Sequence, residues 1–174
     1  FSTFAKSMAN IGAFVAADKD SIDYLKYNLR SQMFAKALPS LLVKGALKRL
    51  DLLRSNPGLK DKLWENVDAL QNGLKSRGFN IGDTNTCVTP VYLEGSVPVA
   101  MMLVNDLREN YKIFLSIVIY PVIPKGIILL RMIPTSSHTL ADIDETLSAF
   151  EAIREKLENG TYKKIAEATT VDVS

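Results

Sequence analysis

Two long amphipathic stripes, separated by a short breaker, constrain the fold of this chain more than any other feature of its sequence. Apolar residues recur every three or four positions over residues 39–54, and the same spacing returns over residues 59–74. Asn56-Pro57-Gly58 interrupts the pattern. Because this spacing places apolar side chains on one face of an α-helix, we predict two helices joined by a tight turn, the second ending near Gly78.

Beyond residue 82 the pattern changes to that of a small sheet with helices. Three stretches rich in branched residues predict its strands: 87–93, 113–120 and 127–133. A helical pattern occupies residues 97–110, and Thr139 begins a final helix with Asp142 as its capping partner. This order predicts an α+β domain in which helices cover one face of a mixed or antiparallel sheet.

The first 38 residues contain shorter signals. Residues 11–16 are small, apolar and branched, which predicts a short buried strand, with Lys6 in the loop before it. Residues 21–29 have helical spacing, and Asp18, Asp20 or Ser21 can cap the start of that helix. We therefore expect a strand followed by a surface helix.

Charge and residue counts exclude several classes of function. The formal net charge is +2, and the chain has one cysteine and one histidine, His138, so that neither an internal disulfide nor a metal cluster is expected. The mixed charges give no field that would attract nucleic acid or an anionic membrane. No apolar stretch approaches the roughly 18 to 20 residues of a membrane span. We expect a cytoplasmic protein whose partners are small molecules or other subunits.

A set of short motifs points to a family. Thr3-Phe4-Ala5-Lys6-Ser7 is followed by Ile-Gly-Ala-Phe-Val at residues 11–15, and residues 120–126 read Tyr-Pro-Val-Ile-Pro-Lys-Gly. Leu130-Arg131 and Ser-His-Thr at residues 137–139 complete the set. In this order and spacing the motifs resemble the α-oxoamine synthases, which condense an amino acid with an acyl-coenzyme A. The resemblance covers residues 1–157.

The resemblance also implies a fold and a division of the chain. It indicates the C-terminal small domain of the fold-type I (aspartate aminotransferase-like) pyridoxal-phosphate transferases, plus the end of the large domain. Residues 1–38 would be the remnant of the large domain, residues 39–157 the small α/β domain, and residues 158–174 a flexible tail. Since the sequence opens on Phe1 and runs directly into apolar sequence, we expect a part of a longer protein. The resemblance implies that this longer protein is a homodimeric enzyme and that the part is inactive alone.

By resemblance, Lys6 is the residue that bonds covalently to the cofactor, pyridoxal 5'-phosphate. Only an amine bonds reversibly to the cofactor's aldehyde, and the released Lys6 can then act as the base that takes the α-proton of the substrate. Taken without the other motifs, Lys6 is a solvated surface lysine. Thr3 matches the hydroxyl residue that contacts the cofactor, on its phosphate, and a turn-forming role is the alternative for Thr3.

Arg131 matches the arginine that binds the carboxylate of the amino acid, a group that its planar fork can hold through two hydrogen bonds. Because it follows the apolar residues 127–130, we expect its charge close to the core. An unpaired charge there is strongly unfavourable unless an anion is supplied. A structural ion pair is the alternative.

Lys36 lies where this sequence departs from the family. The segment 30–39 usually carries a small hydroxyl residue that reaches the cofactor phosphate of the neighbouring subunit. Here Ala35 and Ala37 flank Lys36 instead. We hypothesise that Lys36 or a backbone N–H binds that phosphate.

The choice of substrates is open at this stage. Residues 120–126 are most similar to glycine C-acetyltransferase (2-amino-3-ketobutyrate coenzyme A ligase), which uses glycine and acetyl-coenzyme A. Residues 3–39 resemble bacterial serine palmitoyltransferases comparably well. A non-catalytic α+β module that binds a ligand or another protein is the alternative from a different class.

Overall fold

The computed structural model describes residues 1–171, and the chain divides into two compact units, Phe1–Pro57 and the part from Gly58 onward. The first unit has two short strands and three helices. They are β1 (Ser2–Thr3), β2 (Ala13–Phe14), α1 (Lys19–Asn28), α2 (Arg30–Phe34) and α3 (Ser40–Ser55). The predicted helices at residues 21–29 and 39–54 are therefore confirmed.

Local capping explains where α1 begins. The carboxylate of Asp18 accepts a hydrogen bond of 2.9 Å from the backbone N–H of Ser21, one of the donors that have no partner inside the helix. That bond, together with one from the Ser21 hydroxyl, holds the pKa of Asp18 below its ordinary value. Asp18 is thus the cap among the three candidates in the sequence.

Burial in the first unit differs from the prediction. The strand expected over residues 11–16 is reduced to β2, and it is exposed, with Ile11 leaving 69% of its surface in contact with solvent. None of the residues from Phe1 to Pro57 is buried. The prediction of a buried strand was wrong because an apolar run buries itself only against a second apolar layer, which this unit does not provide.

The second unit contains four helices and a three-stranded sheet. Its elements are α4 (Gly58–Ser76), β3 (Thr89–Glu94), α5 (Val97–Tyr111), β4 (Ser116–Val118), β5 (Ile127–Met132), α6 (Leu140–Glu158) and α7 (Thr161–Val171). The strand order is β3-β5-β4, and both pairings are antiparallel. The predicted strands and the antiparallel sheet are confirmed.

Alternation along β5 decides which side of the sheet carries the core. Ile128, Leu130 and Met132 point into one hydrophobic cluster with residues of α4, α5 and α6, such as Leu103 and Phe150. Each such side chain stabilises the fold by roughly 1.5 to 3 kcal/mol relative to an exposed one. The helices therefore cover one face of the sheet, as predicted.

A capping box fixes the start of α6. The Thr139 hydroxyl accepts from the backbone N–H of Asp142 at 3.2 Å, and the Asp142 carboxylate accepts from the backbone N–H of Thr139 at 2.7 Å. These hydrogen bonds to its charged form lower the pKa of Asp142. The predicted cap is confirmed.

The flexible tail expected over residues 158–174 is not what the structure has. Residues Thr161–Val171 form α7, and Tyr162 is only 2% exposed. Its hydroxyl donates to the Asp106 carboxylate at 2.6 Å, and the Lys156 ammonium donates to the same oxygen at 2.7 Å. The buried ring of Tyr162 and the buried Ala166 therefore dock α7, most of whose other residues are polar. Residues 172–174 lie outside the described residues.

The two compact units divide after Pro57, so that α3 groups with the first strands. The predicted boundary after residue 38 concerns the domains of the longer protein. Contacts such as that between Asn10 and α3 link these segments. The predicted domain assignment of the longer protein stays a prediction.

Candidate functional site

A tight hairpin presents Lys6 to solvent. Ser2 pairs with Phe14 and Thr3 with Ala13, so that residues 4–12 form the connecting loop. Backbone bonds close this loop: the N–H of Phe4 donates to Gly12 at 2.9 Å, and the N–H of Ala9 donates to the carbonyl of Lys6 at 2.8 Å. The Lys6 side chain is exposed. A hydrogen-bonded loop thus carries an accessible primary amine.

The base of the hairpin packs against the segment that carries Lys36. The rings of Phe4 and Phe14 stack with centroids 5.7 Å apart. Gly12 has a φ of +120°, and a Cβ atom there would lie 2.9 Å from Cδ1 of Leu38. Only glycine fits both the angle and the space. This contact joins the Lys6 hairpin to the extended residues between α2 and α3.

Asn10 ties the same loop to α3. Its side-chain Nδ2 donates to the carbonyl of Leu42 at 2.8 Å, while its Oδ1 accepts from the backbone N–H of Ile11 at 2.9 Å. Both ends of the amide are therefore used. Sequence reasoning missed Asn10, because its partner lies 32 positions away and no local pattern marks the contact.

Thr3 and Lys36 both lie in the first unit with exposed side chains. Thr3 ends β1, opposite Ala13. Lys36 follows α2 in an extended stretch that leads to α3. The structure thus places three of the predicted residues, Lys6, Thr3 and Lys36, in one unit, and the hydroxyl and the ammonium are open to a ligand.

Arg131 lies in the second unit, on the outward face of β5. Its Nε donates to the hydroxyl of Ser116 at 2.9 Å, and Ser116 is its direct neighbour across the ladder on β4. Among residues 1–171, no carboxylate lies within salt-bridge distance of Arg131. The structural ion pair considered for this residue is therefore not found in the described part of the chain.

The expectation that the Arg131 charge lies close to the core was wrong. The side chain is exposed, whereas its neighbours Leu130 and Met132 are buried. Successive side chains of a strand point to opposite faces, so the apolar residues on either side go inward and Arg131 goes outward. Its guanidinium is solvated and pays no burial penalty.

His138 has the contacts of a structural residue. Its ring Nδ1 accepts from the backbone N–H of Thr135 at 3.0 Å. Its carbonyl accepts at 2.8 Å from Nδ2 of the fully buried Asn66, which also donates to the Thr135 carbonyl at 3.0 Å. These bonds fix the turn before α6. No local pattern predicted these contacts of Asn66, since both of its partners are about seventy positions away.

Two further features are absent from residues 1–171. In the described chain no group of three or more His, Cys, Asp and Glu side chains is placed to hold a metal ion. None of the helices formed by residues 1–171 combines the length and apolar character needed to cross a bilayer.

Comparison with known proteins places these features in context. Residues 1–150 match the family described as aminotransferase class I and II. The chain is 71% identical over 170 residues to a cysteate-C-fatty acyltransferase of Capnocytophaga ochracea. The matched region covers 97% of this chain and 40% of that protein. It is 33% identical over 145 residues to a serine palmitoyltransferase of Sphingobacterium spiritivorum, covering 83% of this chain and 36% of that protein.

Solved structures show the same similarity. A serine palmitoyltransferase with its pyridoxal-phosphate internal aldimine superposes with a TM-score of 0.78 at 29% identity, covering 86% of this chain and 38% of that one. The Sphingomonas wittichii serine palmitoyltransferase gives a TM-score of 0.78 at 25% identity, again covering 86% and 38%. The predicted α+β fold, part of the fold-type I transferase architecture, is confirmed. The chain spans about two fifths of the length of these relatives.

Proposed function

This chain belongs to the aminotransferase class I and II family, as its resemblance to the α-oxoamine synthases indicated, and we propose that the protein containing it condenses cysteate with a fatty acyl thioester. The observation that carries this choice is the 71% identity to a cysteate-C-fatty acyltransferase over 97% of the chain. Identity at that level supports a shared substrate as well as a shared fold.

The residues of the first unit fit pyridoxal phosphate. Lys6 supplies an exposed primary amine on a closed loop, which is the group that can bond to the cofactor's aldehyde carbon. Thr3 offers a hydroxyl and Lys36 an ammonium, both suited to phosphate oxygens. When bound, pyridoxal phosphate stabilises the negative charge that develops at the α-carbon of an amino acid.

Lys6 then has two successive tasks. It would hold the cofactor through its Nζ, and this Nζ would become free when the amine of the amino acid takes its place. The freed Nζ remains tethered by the hairpin and can accept the α-proton of the substrate as a general base. The backbone bonds that close residues 4–12 limit the positions that Nζ can reach.

Arg131 is the residue we assign to the carboxylate of the amino acid. It is exposed, it has no carboxylate partner among residues 1–171, and its Nε donates to the hydroxyl of Ser116. An arginine in this state has N–H donors left for a planar anion.

Serine palmitoyltransferase is the second candidate, because relatives of that name match 83% of the chain at 33% identity. Cysteate differs from serine in carrying a sulfonate where serine has a hydroxyl. The glycine and acetyl-coenzyme A pair suggested by residues 120–126 stays a prediction, as do the homodimer and the cytoplasmic location. None of the relatives described above is named for glycine.

The experiment compares amino acids on the full-length protein loaded with pyridoxal phosphate. Release of coenzyme A is followed with cysteate and palmitoyl-coenzyme A, with serine and palmitoyl-coenzyme A, and with glycine and acetyl-coenzyme A. We expect cysteate to give the highest kcat/KM. A higher value for serine or glycine would transfer the assignment to that amino acid, and no release in any arm would favour a non-catalytic module.

A second measurement tests the lysine directly. Borohydride reduction fixes the cofactor on the amine that holds it, and peptide mapping then identifies that residue. We expect the adduct on Lys6, and we expect Lys6→Ala to abolish both the adduct and turnover. An adduct on another lysine would overturn the role given to Lys6.

A further inference from the structure

Arg131 and Ser116 form a two-way hydrogen-bonded pair across the sheet. They are directly opposite on the antiparallel strands β5 and β4. Nε of Arg131 donates to Oγ of Ser116 at 2.9 Å, and the same hydroxyl donates to the backbone carbonyl of Arg131 at 3.4 Å. The hydroxyl of Ser116 therefore bonds both the guanidinium and the backbone carbonyl of Arg131.

We propose that Ser116 is a positioning residue that orients Arg131 for the carboxylate of the amino acid substrate, an inference that rests on the function proposed above. With Nε occupied, the two terminal groups Nη1 and Nη2 are the donors left for a ligand. They lie in one plane and can donate two parallel hydrogen bonds to the two oxygens of a carboxylate. Ser116 itself does not touch the substrate.

Orientation has value here because Arg131 is exposed. A free arginine side chain occupies many rotamers, and ordering it on binding weakens affinity. A hydroxyl that already holds Nε removes part of that loss before the substrate arrives. The effect should therefore appear in binding of the amino acid rather than in the chemical step.

The sequence around Ser116 agrees with a dedicated polar position. Residues 113–119 are otherwise apolar, reading Ile-Phe-Leu-Ser-Ile-Val-Ile. Ser116 is half-buried, so its hydroxyl needs a partner, and Arg131 supplies it. An apolar residue at this position would leave Nε without its partner on the sheet.

The test uses Ser116→Val and Ser116→Thr in the full-length enzyme with its cofactor. Val and Thr have nearly the same shape, and only Thr keeps a hydroxyl. We expect Ser116→Val to raise KM for cysteate roughly three- to tenfold, with kcat changed less than about twofold and KM for the acyl donor unchanged. Ser116→Thr should restore the wild-type KM. Equal KM values for the two variants and the wild type would overturn the proposal.

A binding measurement separates the carboxylate from the sulfonate. Calorimetric titration without the acyl donor gives the dissociation constants of cysteate and of alanine, which shares the carboxylate and lacks the sulfonate. We expect Ser116→Val to weaken both by the same factor. Weakening of cysteate alone would mean that Arg131 binds the sulfonate, and the proposal would be wrong.

One control variant and the amino acid preference of the wild type separate the possible failures. Ser148→Ala removes a hydroxyl that bonds a backbone carbonyl at 2.9 Å within α6, and it should leave KM for cysteate unchanged. If the wild type prefers another amino acid and Ser116→Val weakens that one, the proposed function fails while the role of Ser116 stands. If the wild type uses cysteate and Ser116→Val leaves its KM unchanged, only the role of Ser116 fails.

Discussion

The two units of this chain are built in different ways. No residue from Phe1 to Pro57 is buried, although large apolar side chains such as Phe34 and Leu41 are present. The second unit buries a continuous cluster supplied by α4, α5, α6 and the sheet. The lysine that we assign to the cofactor lies in the unit without a core.

This difference shows that hydrogen bonds determine the shape of the Lys6 loop, whereas the hydrophobic core stabilises the second unit. The Lys6 loop owes its shape to backbone bonds, to Asn10 and to Gly12, which need no buried layer. The second unit has the packing that gives a domain its cooperative stability. Exposed apolar side chains in the first unit are typical of a surface that another part of a protein covers.

The largest expected effect comes from truncating a large side chain in the hydrophobic core of the second unit. Phe150 is fully buried and meets Phe79 edge to face, with ring centroids 5.6 Å apart. Phe150→Ala should lower the free energy of unfolding of the second unit by about 3 to 5 kcal/mol. Urea unfolding followed by the fluorescence of Trp64, the single tryptophan, reads this unit alone.

The matched control lies in the first unit. Phe34 is 76% exposed, so Phe34→Ala should leave the Trp64 transition of this chain unchanged. A loss comparable to that of Phe150→Ala would show that the first unit shares the core, and the contrast between the units would break down.

A smaller effect is expected at the docking point of α7. Burial raises the pKa of Asp106, but hydrogen bonds from Lys156, Tyr162 and Asn110 outweigh it and leave the pKa below its ordinary value. Tyr162→Phe removes a hydrogen bond to that carboxylate, and such bonds contribute about 1.5 to 3 kcal/mol. We expect that loss of stability at neutral pH, measured by urea unfolding.

The pH dependence of the same network has a definite sign. The pKa of Asp106 is lower in the folded state than its ordinary value. The contribution of Asp106 to the free energy of unfolding is therefore complete when the pH lies above that ordinary pKa, and it is lost as the pH falls through the pKa of the folded state. The wild type should therefore lose stability on acidification, and Asp106→Asn should lose less. Equal acid sensitivity of the two proteins would exclude Asp106 as the source.

How much of this could be predicted from sequence depends on the range of each interaction. The helices α3 and α4 and the cap at Thr139 were predicted, because apolar periodicity and capping motifs involve residues that are close together in the sequence. The outward position of Arg131 was also readable from the alternation along β5. The apolar run before Arg131 by itself favours a single buried block, and only the alternation of side chains along a strand places Arg131 outward.

The remaining features depend on contacts between distant segments. Tyr162 docks α7 through Asp106, which lies 56 positions earlier, so the polar composition of the segment suggested a tail. Ser116 meets Arg131 only in one register of the sheet, and Asn10 finds Leu42 only once the hairpin has formed. Register and tertiary approach are not encoded in any local window of the sequence.

A substitution at Gly12 tests whether the first unit holds the Lys6 hairpin in one conformation. Gly12→Ala must tolerate a φ of +120° and a Cβ 2.9 Å from Leu38, and strain of this kind amounts to about 1 to 3 kcal/mol. In the full-length enzyme we expect cofactor affinity to fall by about five- to a hundredfold, measured by equilibrium dialysis. Gly126→Ala, with a φ of +88° and no heavy atom within 4 Å of the added carbon, is the control for strain outside the hairpin. Unchanged affinity in Gly12→Ala would show that the hairpin adapts freely.

The smallest expected effect comes from removing a helix N-cap, which can be done in each of the two units. Thr139 caps α6 and Asp18 caps α1, and each side chain accepts from a backbone N–H three residues on. Thr139→Ala should lower the free energy of unfolding of the second unit by about 1 kcal/mol, because α6 unfolds together with the core. Asp18→Ala should leave the Trp64 transition unchanged and increase amide exchange only in α1, since no buried residue couples that helix to the cooperative unit. A shift of the Trp64 transition by Asp18→Ala would show that the two units unfold as one.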